Sequence, residues 1–292
     1  MVGPPTPVSH GPVRQAWRAA RARPALLAGG LIVGAITLVA LLAPWLMRYP
    51  PSDFHVPHRL GPPGSLYWFG TDEFGRDVFS RVIIGSRLSL LIGVTAMAIC
   101  MALGTPLGLL AGYVGGKTDE LLMRAMDILM SFPTLIFGML ILTVTSSGPF
   151  KTALAVGIVY TPRIARVARS VTLSIKEEEF VAAARSRGES HAYILFGEIL
   201  PNAWPSLTVE ASLRVTLAIL AAAALSFLGL GAQPPDTDWG LMMSEARSFM
   251  TVAPWISLFP GLAMCLTVVG FNLLGDGLRD ALDPRVARGG AA

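Results

Sequence analysis

Leu88 to Gly116 reads LSLLIGVTAMAICMALGTPLGLLAGYVGG, 29 consecutive residues without a charge. A bilayer core about 30 Å thick takes roughly 20 apolar helical residues to cross, so this stretch predicts a membrane-spanning helix. Ala25–Met47, Ile128–Phe150, Val215–Pro235 and Ser248–Gly275 satisfy the same requirement. Thr152–Pro162 is apolar for only 11 residues before Arg163, Arg166 and Arg169 arrive. A helix from Thr152 to Leu173 spans if those guanidiniums extend along their aliphatic stems to one interface. A surface or re-entrant helix is the alternative.

Composition agrees with lipid as the main solvent. Of the 292 residues, 53% are hydrophobic and 14% charged, against about 25% charged in soluble domains. The net charge of +4 is small, and the basic residues are sorted by side rather than clustered, so there is no nucleic-acid footprint. With six spans, both termini lie on one side. That side holds Arg14, Arg18, Arg21, Arg23, Lys117, Arg124, Arg163, Arg166, Arg169, Lys176, Arg185, Arg187, Arg279, Arg285 and Arg288, which is 15 of the 23 Lys and Arg residues. The excess assigns it to the cytoplasm. Deleting the fourth span would send the basic C-terminal tail outside, so the expected fold class is an all-α membrane protein with six transmembrane helices. The arginines before the first apolar run imitate a signal peptide, but Ala25–Met47 exceeds the apolar core of about 7–15 residues that such peptides carry. It reads as a retained helix.

The expected organisation is a cytoplasmic tail over 1–24, with 1–13 disordered, then a first helix over 25–47 and an external loop over 48–87. A five-helix core over 88–278 follows, with a cytoplasmic loop at 176–201, and a cytoplasmic tail over 279–292. A further external stretch, Gln233–Pro254, predicts a short surface helix near Met242–Phe249, and a tight loop is expected at Ser146–Pro149. Gly93, Gly104, Gly108, Gly112 and Ala221–Ala224 let helix backbones approach closely in lipid. Pro106, Pro133, Pro205 and Pro260 are expected to bend helices. Cys100 and Cys265 lie in apolar runs and read as packing residues.

Several constellations invite a chemical reading. Ala111–Thr118, AGYVGGKT, imitates a phosphate loop, yet an apolar span precedes it instead of a strand, so it reads as a cytoplasmic turn. His55 and His58 have metal-compatible spacing but no nearby third ligand, and structural zinc takes four; no metal site is expected. Nor is any catalytic grouping. Glu210 and Arg214 stand at i, i+4 with the acid first, inside the fifth span. They read either as part of a polar path or as a self-neutralising pair. Asp72, Glu73, Arg76, Asp77 and Arg81 either contact an external delivery protein or cap and neutralise the start of the second helix.

The cytoplasmic loop carries the most information: Lys176–Asn202, KEEEFVAAARSRGESHAYILFGEILPN. Glu177–Arg187 reads as a helix with acids near its start and Phe180, Val181 and Ala184 on one face. Gly188 is placed to stop it, Ser190 to cap a second short helix, and Pro201 to end that one. An alanine-rich elbow with little side-chain bulk suits docking into a groove on another protein, against the alternative of an ordinary solvated loop.

This stretch resembles the EAA loop of ABC importer permeases: Glu-Ala-Ala, three residues, Gly, nine residues, Ile-x-Leu-Pro. Ala183, Ala184, Gly188, Leu200 and Pro201 match; Ala182 stands where the family has Glu, and Glu198 where it has Ile. Glu177, Glu178 or Glu179 are the acids at hand to replace the missing charge. Further segments, Gly70–Arg81, Lys117–Pro133, Leu225–Gly240 and Asn272–Arg285, resemble the C-type permease subunit of dipeptide and oligopeptide importers, over about Leu66 to Arg285. The resemblance implies a type I importer fold and a homologous second permease. It implies two ATPases, which bind the ATP and Mg²⁺ absent from this chain, and an external peptide-binding protein. It also implies that the Val181–Pro201 elbow enters a cleft of the ATPase and transmits its closure, shifting the helices from inward-open to outward-open. Nickel or glutathione are alternative cargoes within the class. A self-sufficient secondary transporter or channel, the rival class, is expected to show repeated halves and matched broken helices, and the sequence shows neither.

Overall fold

The computed structural model describes residues 24–145 and 147–282. The expectations for the N-terminal tail, for the C-terminal residues beyond 282 and for the turn at Ser146 lie outside the described residues. Among the described residues every regular element is helical, apart from one isolated antiparallel bridge between Thr71 and Asp77. The helices are α1 Pro24–Leu46, α2 Val78–Val114, α3 Gly116–Ser131, α4 Thr134–Thr145, α5 Pro149–Ile175 and α6 Glu179–Ser186. Helix α7 runs His191–Phe227, followed by α8 Trp239–Ala246 and α9 Trp255–Leu282. Helices α1, α2, α7 and α9 are long and apolar enough to cross a membrane, and α3 with α4 makes a fifth crossing if the bent pair is one span. The arginine-bearing α5 is a continuous helix of 27 residues, long enough to cross at 1.5 Å per residue.

The bundle is organised around the α2–α5 seam. Gly104, Gly108 and Gly112 present a smooth backbone strip every fourth residue, and α5 lies directly on it. A β-carbon at Gly108 would stand 2.2 Å from the Ala165 carbonyl oxygen. Close backbone approach of this kind substitutes dispersion contact for the hydrophobic drive that lipid does not supply. Helix α7 closes the core against both, burying Ile92, Ala96, Cys100, Val156, Ile164, Ile219 and Leu225 in one cluster. Helix α1 lies on α9, and few of its residues are buried: Gly29, Ala40 and Ala43.

Several expected boundaries move, each for a local reason. Helix α2 begins at Val78, ten positions before the charge-free stretch, because the Asp77 side chain accepts the Ser80 amide at 3.0 Å and caps it there. The expected third span is broken by a 92° bend. Phe132 is extended (φ −82°, ψ 135°), as the residue before Pro133 must be. Pro106, Pro162, Pro205 and Pro260, by contrast, lie inside continuous helices. Pro201 does not end a helix either. Ile194–Ile199 is π-helical, and the Leu200 amide donates back to the Leu195 carbonyl. The proline therefore falls where the ladder returns from i→i+5 to i→i+4 bonding, and α7 passes through it. Helix α8 starts at Trp239 and is no surface helix, since Trp239 and Met242 are each 1% exposed. Helix α9 continues through Arg279 to Leu282, past the expected start of the C-terminal tail.

Candidate functional site

The elbow forms as its residue types dictate. Helix α6 ends in a Schellman arrangement: Gly188 has φ +77°, its amide donates to Arg185 O at 3.0 Å, and the Glu189 amide donates to Ala184 O at 3.2 Å. Only glycine takes that backbone without strain. Ser190 then caps α7, its hydroxyl oxygen accepting the Tyr193 amide at 3.2 Å. Val181 and Ala184 are fully buried against Leu109 and Tyr113 at the end of α2 and against Ile194, Leu195 and Ile199. Phe180, expected beside them, points away and is 37% exposed. Glu179, Ala182, Ala183, Gly188 and Pro201 are exposed, and Leu200 is half-buried. The outward surface is therefore acid at its start, then small, with Phe180, Tyr193 and Phe196 as its large apolar groups.

Polar bonds fix the elbow to the membrane helices. Tyr113 Oη and His191 Nδ1 are 2.9 Å apart, joining α2 to α7. The Arg185 guanidinium lies 5.3 Å from the Tyr113 ring centroid, within cation–π range. Lys176, just past α5, donates to the Gly112 carbonyl at 3.0 Å, a cation placed where the α2 dipole favours one. Arg187 reaches Glu189 and Glu198, each at 3.5 Å, across the bend. Helix α3 is bound to α5 by Arg169, whose Nη2 donates to Asp119 Oδ2 at 2.6 Å, and by the Arg166–Asp127 pair. Thus two of the three arginines of α5 are neutralised by α3. Arg163 instead lies 5.1 Å over the Tyr160 ring.

Glu210 and Arg214 form an ion pair on α7, each side chain nearly four-fifths buried. They are self-neutralised, on the helix face that also carries buried Leu207 and Ala218. The phosphate-loop imitation is the α2–α3 junction, with Gly115 and Gly116 at φ +69° and +56° and helix on both sides. His55 and His58 pack against the Tyr67 ring.

At the opposite end of α2, Asp72, Arg76, Asp77 and Arg81 turn inward instead of presenting a charged surface. Asp72 is fully buried; its Oδ2 accepts from Arg76 Nε and Arg81 Nη1, both at 2.6 Å. Glu245 of α8 completes the cluster, 2.7 Å from Arg81 and 3.1 Å from Arg76. Glu73 is mostly buried beside it, and burial, with Asp72 and Glu245 adding to it, pushes its carboxyl above the usual carboxylate range. Asp238, which caps α8 by accepting the Leu241 amide at 2.6 Å and the Ser226 hydroxyl at 2.7 Å, is also raised by burial. Sequence reasoning missed Glu245; its one signal was a lone acid in an otherwise apolar helix. It missed Tyr113 and His191 as well, which are 78 positions apart.

Residues 104–288 match the family described as binding-protein-dependent transport system inner membrane component, and residues 11–63 match the N-terminal transmembrane domain of oligopeptide transport permease C. The chain is 42% identical over 275 residues to the dipeptide transport system permease protein of Alkalihalophilus pseudofirmus, covering 94% of this chain and 90% of that protein. It is 44% identical over 276 residues to the glutathione transport system permease protein of Pectobacterium atrosepticum, covering 94% and 92%. A probable D,D-dipeptide transport system permease protein of Escherichia coli K12 is 42% identical over 262 residues, covering 90% and 88%. In fold, the chain superimposes on a chain of the inward-facing MetNI methionine ABC transporter with a TM-score of 0.59 at 18% identity, covering 70% of this chain and 97% of that one. A helical bundle of the type I importer kind, with relatives 42% and 44% identical over 94% of its length, places this chain in the family of inner-membrane components of binding-protein-dependent transport systems.

Proposed function

We propose that this chain is one of two permease subunits of an ATP-driven importer of di- and oligopeptides, and that its elbow is the lever through which the ATPases move the membrane helices. A homologous second permease completes the translocation path, two ABC ATPases dock on the cytoplasmic face with ATP and Mg²⁺, and an external peptide-binding protein delivers cargo. Both termini lie in the cytoplasm. The observation that carries the reading is the two-sidedness of the elbow. Its inner face, Val181 and Ala184, is sealed to α2, while its outer face, from Glu179 through Ala182 and Ala183, is bare. A force on the outer face reaches α2 through Val181 and Tyr113, α5 through Lys176, and α7 without a break, because α7 begins inside the elbow. Glu179 is the acid nearest the docking surface and stands in for the charge that Ala182 lacks. Glu210 and Arg214 are neutral as a pair and border the path.

The lever reading is tested at Gly188. Proline there requires a negative φ and removes the amide that bonds Arg185 O. The site is open, with nothing within 4 Å of a Cβ built on the glycine backbone. The reconstituted Gly188→Pro complex is expected to assemble and to lose cargo-stimulated ATP hydrolysis; normal peptide uptake by it would overturn the lever. Likeness to the glutathione permease protein favours a second reading, in which glutathione is the cargo. Competition by a panel of di-, tri- and tetrapeptides and glutathione for uptake into proteoliposomes decides between them.

A further inference from the structure

At the end of α2 remote from the elbow, two cavities meet at Arg87. One, of about 350 Å³, is a groove between α1, α2 and α9, walled by Ala40, Leu41, Leu91, Val94 and Phe271, with Arg87 at its rim. The other, of about 370 Å³, shares Arg87 and Leu91 and is bordered by Asp236 and Thr237. Arg87 is exposed, and among the described residues no ion pair engages it, the exposed Asp236 included. The charge-free run Leu88–Gly116 starts at the next residue. The guanidinium therefore stands at headgroup level, where an arginine holds its charge in the polar layer and its stem against hydrocarbon, and the groove lies at the depth of the acyl chains.

We infer that this groove is a binding site for one anionic phospholipid, its phosphate on Arg87 and one acyl chain along Leu91, Val94 and Phe271. Three observations select that occupant. The wall is apolar while the rim carries one unpaired positive charge, which is the polarity of an anionic lipid. The groove opens along the contact of α1 with α2 and α9, and few residues of α1 are buried, so an occupant here adds to a sparse contact. Finally, the second cavity gives the headgroup room beside the phosphate, with Asp236 and Thr237 on its border. The lipid would then act as filler that secures α1 to the core. This inference needs membrane insertion and not the transport reading, so its failure would leave the lever untouched.

The test uses the assembled transporter in nanodiscs containing phosphatidylglycerol or phosphatidylcholine with a photoactivatable acyl chain, with labelled positions mapped by mass spectrometry. Phosphatidylglycerol is expected to label Leu91, Val94 and Phe271 about fivefold more than phosphatidylcholine, the equivalent of the ~1 kcal/mol that one basic side chain gives near an anionic headgroup. Arg87→Gln is expected to bring phosphatidylglycerol down to the phosphatidylcholine level, and Val94→Trp, which fills the groove, to lower both. Equal labelling by the two lipids, or labelling unchanged in Arg87→Gln, would overturn the site. So would cross-linking of a photoreactive residue at position 91 to a neighbouring subunit, which would make the groove a protein interface.

Discussion

Substituting Gly108 by alanine adds one methyl group at the tightest point of the α2–α5 seam. That carbon would stand 2.2 Å from Ala165 O, 2.6 Å from Ala168 Cβ and 2.9 Å from Arg169 N. Ordinary contact begins at 3.4 Å, and packed interiors do not absorb such an overlap, so the helices must part locally by about 1 Å. A gap of that size forfeits about a quarter to a half of each dispersion contact along it, and overpacking of this kind costs about 1–3 kcal/mol. The control is Gly34→Ala in α1, where nothing lies within 4 Å and alanine's helix preference of about 0.5–1 kcal/mol acts alone. Thermal unfolding of the two purified full-length variants in the same detergent reads the difference. Gly108→Ala should melt several degrees below the parent and Gly34→Ala at or slightly above it. A Gly108→Ala protein as stable as its parent would refute the backbone-to-backbone seam.

The charged cluster at the start of α2 predicts strong coupling. Arg81→Met leaves Asp72 and Glu245 with Arg76 as their one remaining cation and should cost about 3 kcal/mol in denaturant unfolding. Adding Glu245→Gln should recover part of it, and strictly additive effects in that double-mutant cycle would contradict the cluster. Asp238 makes a pH prediction of definite sign. Burial raises its folded pKa above the ordinary 3.8, so the folded state holds the proton more tightly, and stability falls as pH rises from that value through the raised one. Asp238→Asn keeps the cap on α8 and should flatten this part of the melting-temperature profile; an unchanged slope would show that Asp238 does not titrate there.

Much of the architecture was legible because lipid enforces a simple rule: charge-free runs of sufficient length become helices, as α1, α2 and α9 do. The run Val215–Pro235, by contrast, is helical only to Phe227, and α7 extends upstream past Arg214 and Glu210. The elbow was legible in its punctuation, since Gly188 and Ser190 act through their own backbone and neighbours. Proline was read less well. Pro133 breaks the chain and Pro201 does not, because its missing amide falls at the register change of a π turn, and that depends on residues a full turn upstream. The charged loop left docking and helix capping both open, and Asp77 capping α2 with the inward ion pairs takes the second. Asp72, Arg76 and Arg81 look solvated until Glu245 arrives from α8, 164 positions beyond Arg81; only tertiary contact turns a surface patch into a buried network. Long-range partners also explain why Tyr113 and His191 went unnoticed, since neither belongs to a local pattern.

The lever itself is tested most directly by placing a cysteine at Ala183, on the bare face of the elbow, after replacing the exposed Cys265 by alanine; Cys100 is buried and stays. In the assembled complex, a short maleimide–diazirine reagent attached at position 183 is predicted on illumination to join it to an ATPase subunit, with a yield that changes between the nucleotide-free and ATP-bound states. Absence of any cross-link to an ATP-hydrolysing subunit, in either state, would contradict the account.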